Sequence, residues 1–412
     1  MDTTSPSAEK LQVRCCIAGG GPAGIMLGFL LARAGVEVVV LEKHADFLRD
    51  FRGDTIHPST LEVMHELGLL DELLKRPYQQ LPQLRAQIGS TEVVLADFSH
   101  LPTQCPFIAL MPQWDFLNFL AEQARRYPEF HLRMEVEVTG LIEDAGRVVG
   151  VRAKTPTGEV EVRAELVVGA DGRNSIVRDC SGLTVEHIGA PMDGLWLRLS
   201  RNPSDPTTAL RFDRGKILVM IDRGDYWQIA LVIPKGGAEE TRRKGLEDLR
   251  AGIVEIAPFL RDRVSELNDW SDLKLLSVRV DRLQQWHRPG LLCIGDAAHA
   301  MSPIGGVGIN LAIQDAIAAA NILARSFRER AITDDDLAKV QRRRLLPTRL
   351  TQGFQVIIQK QVIARVLATP ERVELPWPQR LMLRSKFLSR IRGRIVGIGF
   401  RPERVKTPDV LR

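Results

Sequence analysis

Apolar and polar residues follow two different periods along the chain, and together they predict an α/β protein. An apolar run over 11–18 predicts a strand, and a glycine turn leads from it into an apolar helix over 25–31 that stops near Gly35. A β-branched run over 36–41 follows. Such a run is typical of a central parallel strand, which is buried on both faces. The start of the chain therefore predicts a strand–turn–helix–strand unit.

The same patterns predict further helices and strands. The stretch Pro58–Glu62 is expected to open the second helix, and Ser59 and Glu62 have capping-box spacing, so that each side chain can satisfy an end amide. The other predicted elements are helices over 113–126 and 309–326, strands over 84–88, 92–98, 217–221, 226–233 and 291–294, a β-meander over 132–168, and helices after 331.

Pieces of one sheet recur at three separated places, 11–42, 166–172 and 291–296, which predicts a discontinuous domain. We expect a Rossmann-like nucleotide-binding domain assembled from residues 11–75, 106–185 and 280–330. Residues 76–105 and 186–279 are rich in strands and predict an inserted β-sheet domain, and residues 331–412 predict a C-terminal helical region.

Composition and charge exclude several classes of protein. The chain has 412 residues, 44% of them hydrophobic and 26% charged, as in a globular protein. Residues 331–412 hold 18 basic and 7 acidic side chains, a net of +11, so the rest of the chain carries −6 of the total +5. A nucleic-acid-binding protein usually carries its basic face on the folded body. We therefore expect no nucleic-acid partner.

The five cysteines are odd in number and include no CxxC pair, which argues against a disulfide framework or an iron–sulfur site. Cys15, Cys16 and Cys293 lie in apolar runs, where buried thiols are expected. No His, Asp and Glu set has metal-ligand spacing, so no metal is expected. The polar N-terminus is unlike a signal peptide, and the apolar runs fall short of a membrane span. These features predict a reduced, cytoplasmic, soluble enzyme.

The sequence Gly19-x-Gly21-x-x-Gly24 follows the first predicted strand and opens the first helix. In such a turn the first glycine permits the tight bend, the second lets the backbone approach a pyrophosphate, and the third allows close helix–strand packing. Glu42 ends the second strand, where an acid can bond ribose hydroxyls. These features predict a dinucleotide site without distinguishing NAD from FAD.

Two later segments decide between the two nucleotides. The turn Gly169–Ser175 and the segment Gly295–His299, continued by Pro303 and Gly305–Gly308, follow the first glycine motif along the chain. In this order they resemble the FAD-dependent aromatic hydroxylases, the single-component (class A) flavoprotein monooxygenases, over about residues 11–330. The stretch Arg52–Pro58 is similar to that family's loop beside FAD.

The resemblance implies that FAD is held by all of these segments. It places Asp296 at the ribityl chain or ribose, the amides of the 303–308 loop near the N1–C2=O edge of the flavin, and the Asp171-Gly172 pair at both FAD and NAD(P)H. The expected cofactor-binding residues are Gly19, Gly21, Pro22, Ala23, Gly24, Arg33, Glu42, Lys43, Arg52, Gln113, Asp171, Gly172, Gly295, Asp296, Pro303, Gly305, Gly306, Val307, Gly308, Ile309 and Asn310. Val307 departs from the family pattern, in which many members have Gln.

Several of these polar residues also have a structural interpretation. Asp171 is of the type that stabilises its own turn, and Asp296 of the type that caps a helix. His57 is expected at the start of a helix. His299 is expected to pack beside the FAD loop rather than to take part in chemistry.

The resemblance implies an FAD-dependent monooxygenase. NAD(P)H reduces the flavin and leaves, O₂ adds at C4a, and the hydroperoxide hydroxylates an aromatic or related small organic substrate. The substrate is expected between the flavin and the sheet formed by 186–279, which is therefore the substrate domain. Its pocket candidates are Trp196, Arg198, Arg211, Phe212, Tyr226 and Trp227. Arg198 or Arg211 would meet an anionic or phenolic group.

Three other functions stay open at this point. A flavin halogenase is loosely suggested by Tyr226-Trp227-Gln228-Ile229 and the later Pro234. A membrane-associated hydroxylase of quinone precursors is suggested by the basic segment 380–392, in which Leu383, Phe387 and Ile391 are spaced i, i+4, i+8. A helix docked on the acidic body is the favoured interpretation of that segment. The third is a non-catalytic FAD-binding protein. The sequence leaves substrate identity, NADH versus NADPH and oligomeric state open.

Overall fold

The computed structural model describes residues 9–48, 54–208 and 210–411. Within these residues, the strands in chain order are β1 (Glu9–Ala18), β2 (Val38–Leu41), β3 (Thr55–Ile56), β4 (Gln79–Leu81), β5 (Gln83–Ile88), β6 (Thr91–Asp97), β7 (Ile108–Leu110), β8 (Phe130–Arg133), β9 (Glu137–Asp144), β10 (Arg147–Thr155), β11 (Gly158–Gly169), β12 (Val185–His187), β13 (Met192–Ser200), β14 (Leu210–Asp213), β15 (Lys216–Asp222), β16 (Tyr226–Pro234), β17 (Lys274–Leu276), β18 (Asp281–Leu283), β19 (His287–Arg288) and β20 (Leu291–Cys293).

The α-helices of the same residues cover both sheets and build the C-terminal region. In chain order they are α1 (Pro22–Arg33), α2 (Pro58–Glu66), α3 (Leu70–Leu73), α4 (Gln113–Ala124), α5 (Ile176–Cys180), α6 (Ala238–Lys244), α7 (Leu246–Ile256), α8 (Gly308–Glu329), α9 (Asp334–Ile358), α10 (Ala364–Ala368), α11 (Trp377–Arg384) and α12 (Lys386–Gly397). A π-helical segment, Gln359–Ile363, joins α9 to α10.

The larger sheet is mainly parallel. Its order is β19-β20-β11-β1-β2-β8, and β10 and β9 continue antiparallel from β11. β1 pairs in parallel with β11 on one side and with β2 on the other, so the strand order reverses at β1. In an open α/β sheet, ligands bind at the carboxyl ends of the strands at such a reversal. The predicted Rossmann-like α/β fold is confirmed.

The second sheet has the order β17-β13-β16-β15-β14-β5-β6. Its pairs are antiparallel except for β14 with β5. The hairpin predicted around residues 222–225 joins β15 to β16. One face of this sheet packs against α7 through a cluster that includes Leu197, Leu218 and Ile253. The other face is therefore available to point toward the parallel sheet.

The main core lies between the parallel sheet and the helices α1, α4 and α8. The stretch Ile304–Glu329, which contains α8, is long and apolar enough to cross a membrane, but 72% of its most apolar window is buried inside the protein. Packing on α1 and the sheet accounts for its apolar sequence. Cys15, Cys16 and Cys293 are buried free thiols, as predicted, and burial raises the pKa of Cys16 to about 12.

Two predictions of local structure are wrong. α2 begins at Pro58, as predicted, but Ser59 and Glu62 do not form a capping box: His57 is the N-cap, and Glu62 accepts a hydrogen bond from the Gln104 amide. Proline is favoured at the first helical position because its missing amide hydrogen is not needed there. The basic segment 380–392 forms two helices rather than one, because Ser385 ends α11 and caps α12.

Candidate functional site

The first two predicted turns lie side by side at the carboxyl edge of the parallel sheet. The Gly19 amide donates a hydrogen bond of 2.8 Å to the Leu41 carbonyl, and the Ala170 amide donates one of 2.8 Å to the Ala18 carbonyl. These bonds continue the pairing of β1 with β2 and with β11 just beyond the strand ends. Segments 150 residues apart in sequence are thereby brought into contact.

The third turn joins them through β20. The Ile294 amide donates a hydrogen bond of 2.9 Å to the Gly169 carbonyl. A Cβ built on Gly295 would lie 3.2 Å from the Cβ of Ala23 in α1 and 3.3 Å from that of Ala312 in α8. The third turn is therefore packed between the N-terminal ends of α1 and α8. Both helices begin at this edge of the sheet.

The first glycine turn has the shape that a dinucleotide pyrophosphate needs. Gly19 has φ +103°, and a Cβ there would lie 2.4 Å from the Ala170 carbonyl oxygen. A Cβ on Gly24 would lie 1.9 Å from the Gly19 oxygen, whereas one on Gly21 would meet nothing within 4 Å. Packing thus requires glycine at positions 19 and 24. Gly21 instead faces open space beside the amides at the start of α1. Such amides bind phosphate.

Glu42 supports this turn from the end of β2. The side chain is buried, and its carboxylate accepts hydrogen bonds from the Gly20 amide at 2.9 Å and the His44 amide at 3.1 Å. The neighbouring Lys43 is exposed. Glu42 therefore shapes the glycine turn, and its contact with a ribose stays a prediction.

The 303–308 loop leads directly into α8. Gly305 and Gly306 have φ of +77° and +63°, which a residue with a side chain rarely adopts. The Thr55 hydroxyl donates a hydrogen bond of 2.9 Å to the Gly306 carbonyl. The loop is thereby fixed to the segment that follows the Arg52 region, and it places the N-terminus of a 22-residue helix at the site.

The Asn310 side chain holds the 303–308 loop to α2. Its Oδ1 accepts hydrogen bonds from the His57 amide at 2.9 Å and the Thr60 hydroxyl at 2.7 Å, and its Nδ2 donates to the carbonyls of Thr55 and Gly306 at 3.1 and 3.3 Å. The side-chain amide is fully used within the protein. A contact between Asn310 and FAD would therefore use the backbone, and it stays a prediction.

A buried charged cluster lies behind the third turn. Asp315 Oδ2 accepts from the Gly295 amide at 3.1 Å and lies 2.5 Å from His299 Nε2, while Oδ1 accepts from Arg344 Nε at 2.9 Å. Burial alone raises the pKa of Asp315, but His299 and Arg344 outweigh it and hold the pKa below its ordinary value. His299 also packs 4.9 Å from the Trp286 ring. Its predicted packing role is confirmed.

Two glutamines of α9, which the sequence patterns do not single out, anchor the loops of the site. Gln355 Nε2 donates hydrogen bonds of 2.9 Å to the carbonyls of Ser302 and Ile304. Gln352 Nε2 donates one of 3.1 Å to the Ala300 carbonyl. Both glutamines are 1% exposed. The start of the C-terminal region is therefore part of the framework of the site.

Asp54 links the second sheet to the parallel-sheet side. Gln228 Nε2 donates a hydrogen bond of 2.9 Å to Asp54 Oδ2, Arg223 forms an ion pair with the same oxygen, and the Gln113 amide lies 3.3 Å from Oδ1. Burial raises the pKa of Asp54 above its ordinary value, although Arg223 and Gln228 both favour the carboxylate. Gln113, an expected cofactor residue, thus begins α4 beside this bridge.

Gln228 identifies the face of the second sheet that points to the site. Arg198 pairs with Gln228 across the two strands, and Trp196 pairs with Ala230. Side chains at alternate positions share a face, so Trp196, Arg198 and Tyr226 lie on the Gln228 face, as expected for pocket candidates. The Arg198 guanidinium lies 5.1 Å from the Tyr226 ring centre.

Trp227 and Arg211 lie on the opposite face, so their assignment to the pocket is wrong. Trp227 is 1% exposed, packs on the α7 side and donates a 2.7 Å hydrogen bond to Asp205. Arg211 lies 4.9 Å from the Phe259 ring centre and donates to the Ile256 carbonyl at 3.3 Å. Both are one position out of phase with the site-facing residues of their strands.

Phe212 lies on the site-facing side but at its far end. It belongs to a buried cluster with Ile217 of β15 and with Ile363 and Val366 of the C-terminal region. Ile304, from the loop before α8, packs against the same cluster. Phe212 therefore closes the end of the interface between the two sheets.

Asp171 and Asp296 occupy the second and third turns. Asp171 accepts from the Ser175 hydroxyl at 2.5 Å and from the Val177 amide at 3.2 Å, and burial raises its pKa despite these bonds. The carboxylate thus stabilises its own turn. A Cβ on Gly172 would meet nothing within 4 Å, and Asp296 is half-buried at the same edge. The cofactor roles of these residues stay predictions.

Arg33 lies far from the glycine turn, although it is expected at FAD. It ends α1, whereas the glycine turn starts that helix about 16 Å away. Its guanidinium donates to the carbonyls of Thr407 at 2.5 Å and Pro408 at 3.0 Å. Arg33 therefore fixes the C-terminal tail. Arg52, also expected at FAD, lies outside the described residues.

The fold has a mainly parallel sheet with three glycine turns at one edge, and a second sheet faces that edge. This arrangement is typical of flavoproteins that combine an FAD-binding domain with a second β-sheet. Comparisons with known proteins agree. The sequence model of the family described as "FAD binding domain" matches residues 12–353. The chain is 32% identical over 361 residues to 6-methylpretetramide 4-monooxygenase of Streptomyces rimosus, covering 87% of this chain and 86% of that protein. It is 26% identical over 360 residues to 3-demethoxyubiquinol 3-hydroxylase of Escherichia coli, covering 82% and 86%.

A solved structure shares the fold. The p-nitrophenol 4-monooxygenase PnpA from Pseudomonas putida superposes with a TM-score of 0.72 at 23% identity, covering 95% of this chain and 96% of that one. The chain therefore belongs to the FAD-binding-domain family of class A flavoprotein monooxygenases. It is an FAD-dependent oxidoreductase, and the family, fold, enzyme class and FAD cofactor predicted from its sequence are confirmed.

Proposed function

We propose that this enzyme uses NADH or NADPH together with O₂ to hydroxylate an aromatic substrate. One observation carries the proposal: three glycine turns meet at one sheet edge, and the Gln228 face of the second sheet is tied to that edge through Asp54. When bound there, FAD accepts the hydride and activates O₂. The protein's part is to bind, to orient and to exclude water.

Two helix N-termini would hold FAD. Amides at the start of α1, beside the open space at Gly21, suit the pyrophosphate. The start of α8, after Gly308, would stabilise negative charge on the flavin ring, because the N-terminal end of a helix carries partial positive charge. Gln355 and Thr55 keep this loop in place. The division into an FAD-binding domain, a substrate domain and a C-terminal region stays a prediction.

The site-facing side of the second sheet suits an aromatic ring system. By strand alternation it presents Trp196, Val219, Ala230 and Ile221, with Gln228 among them. Such a surface excludes water, which protects a reactive oxygen-transfer step from side reactions. Arg198, at the exposed end of the face, is placed to meet a phenolate or carboxylate. The relative that acts on 6-methylpretetramide favours a multi-ring aromatic substrate.

Stopped-flow reduction of the bound flavin tests this proposal. The holoenzyme is mixed with NADH or NADPH in the presence of simple phenols, carboxylated aromatics, multi-ring aromatic polyketides or quinone precursors. We expect one multi-ring aromatic class to accelerate reduction and to couple oxygen uptake to product at close to one equivalent. Equal reduction rates with and without every compound, and no product, would contradict the proposal.

The same experiment separates the remaining alternatives. A product that forms only with added halide would identify a halogenase. Acceleration by quinone precursors alone would identify a hydroxylase of that class. A flavin that neither nicotinamide reduces would be the result expected of a protein that holds FAD without monooxygenase activity.

A further inference from the structure

Exposed apolar side chains concentrate in the C-terminal part of the chain. Among the described residues, 14 large hydrophobic side chains are exposed, and nine of them lie between Leu346 and Ile391. The largest exposures within α11 and α12 are 77% for Trp377, 67% for Leu381 and 70% for Phe387. Single exposed hydrophobics are ordinary on a protein surface, but a concentration of them marks an interaction site.

α12 is firmly docked by its other face. A Cβ on Gly393 would lie 1.9 Å from the Asp97 carbonyl oxygen, and one on Gly397 would lie 2.9 Å from Leu101. Arg392 donates to the Leu95 carbonyl on the same side. The glycine face therefore packs tightly against β6 and the loop after it, while Phe387 and the positions around it face outward. This exposure is not that of a loose tail.

The outward face is strongly cationic. Residues 377–397 contain six basic side chains and no acidic one: Arg380, Arg384, Lys386, Arg390, Arg392 and Arg394. All but Arg392 are exposed. Over residues 342–397 there are 13 basic and two acidic side chains. Exposed aromatic and aliphatic groups interspersed with arginines are typical of a helix that lies in the interface of an anionic bilayer.

We propose that the outer face of α11 and α12 binds the surface of an anionic phospholipid bilayer. The charge of this surface favours a bilayer over a second copy of the chain as its partner. A two-fold dimer brings the same patch of both subunits together, and here it would place two acid-free cationic faces against each other, a like-charge arrangement that disfavours association. An anionic bilayer satisfies the apolar and the cationic groups at once.

The surface adjoins the FAD loop. His57 Nδ1 donates a 2.8 Å hydrogen bond to the Val396 carbonyl of α12, and a Cβ on Gly305 would lie 3.9 Å from a Val396 methyl carbon. One helix diameter, about 10 Å, therefore separates the outer face from the 303–308 loop. The binding itself does not depend on which reaction the enzyme catalyses.

Vesicle co-sedimentation of the full-length holoenzyme tests the proposal. We compare phosphatidylcholine vesicles with vesicles that also contain phosphatidylglycerol, at low and high salt. We expect binding to the anionic vesicles that weakens with salt. The triple variant R384Q/R390Q/R394Q should bind about 100-fold more weakly, at roughly fivefold per removed cation. F387S/L381S should also lose binding at low salt.

The control removes three exposed cations elsewhere. R242Q/R243Q/K244Q changes the same number of charges on α6, and it should bind as the unaltered enzyme does. Flavin content and the unfolding temperature confirm that each variant is folded. No binding to anionic vesicles would overturn the proposal, as would equal losses in both triple variants. The proposal would also be overturned if the enzyme did not bind vesicles and instead formed a dimer that F387S/L381S dissociates.

Discussion

Gly21 is a residue at which a substitution can affect cofactor binding with little disturbance of the fold. Gly19 and Gly24 are enclosed by protein atoms, so changing them disturbs the fold, whereas a side chain on Gly21 would enter open space at the start of α1. Its φ of −74° is accessible to any residue. A substitution there therefore tests cofactor binding with little effect on the backbone.

We expect Gly21→Val to weaken FAD binding at least 100-fold, because the valine methyl groups occupy the space that the pyrophosphate needs. Because Gly21 is the N-cap of α1, where valine is less favourable than glycine, the free energy of unfolding of the FAD-free protein should fall by about 1 kcal/mol or less. Fluorescence titration of the FAD-free protein with FAD measures the affinity. Gly140→Val, at another glycine with nothing within 4 Å, is the matched control. Unchanged affinity in Gly21→Val would remove this turn from the FAD site.

The buried ring of His57 is expected to make the stability of the protein depend on pH. Burial lowers its pKa from 6.5 to about 4, although the bond to the Val396 carbonyl favours the cation. The unfolded chain therefore binds a proton between these pH values and the folded chain does not. Stability is full above about pH 6.5 and falls as the pH drops toward 4, by about 3 kcal/mol.

Denaturant unfolding between pH 7 and 4 measures this slope. In His57→Gln the titratable ring is absent, so the pH dependence over this range should be shallower by about that amount. His65→Gln removes an exposed histidine of the same helix and should leave the slope as it is. A His57→Gln curve parallel to that of the unaltered protein would show that His57 titrates alike in both states.

At the scale of elements, alternation along β16 separates pocket residues from core residues. Trp227 belongs to the cluster on α7 and bonds the buried Asp205, which Arg263 also contacts. Its neighbour Gln228 faces the site. The alternating apolar pattern predicts these strands, but it does not say which face meets the parallel sheet, because both faces are covered.

We expect Trp227→Phe to lower the stability of the protein and Trp196→Phe to raise the KM for the substrate. Trp227→Phe removes one of the donors to the buried Asp205, which keeps its bonds from Arg263, and should cost about 1–2 kcal/mol of stability, with the KM for the aromatic substrate unchanged. Trp196→Phe should raise KM several-fold with little change in the unfolding temperature. Substrate titration of flavin reduction and thermal denaturation give the two readouts. A KM effect in Trp227→Phe alone would reverse the assignment of the two faces.

α9 explains why part of the site escapes a sequence-based prediction. From Arg344 onward its buried stripe is polar, with Arg344, Thr348, Gln352 and Gln355 nearly inaccessible and Gln359 continuing the stripe in the π-helical segment, while Leu346, Leu350 and Ile357 are exposed. Ordinary amphipathic patterning assigns the apolar side to the core. The first turns of α9 follow this pattern with Leu337 and Val340 buried, and the rest of the helix does not. The spacing of four, four, three and four between its polar residues is the available signal. It marks one helical face but does not identify the loops that the face anchors.

For the whole molecule, the glycine turns are predictable because each one combines a local backbone requirement with a position at a strand end. Gly19, Asp171 and Gly295 are found in this way. Contacts that depend on distant docking are not predictable from such patterns. The pairing of Arg33 with the C-terminal tail and the bridge from Asp54 to Gln228 are of this kind, since neither segment carries a local pattern that names its partner.

The most direct test of the central claim uses isotopically labelled oxygen. The holoenzyme is supplied with NAD(P)H, ¹⁸O₂ and the aromatic compound that most accelerates flavin reduction, and the product is analysed by mass spectrometry. We expect one ¹⁸O atom in each hydroxylated product molecule, and none when the labelled oxygen is supplied as H₂¹⁸O with ordinary O₂. A product whose new oxygen comes from water, or a transformation that incorporates no oxygen and consumes no nicotinamide, would contradict it.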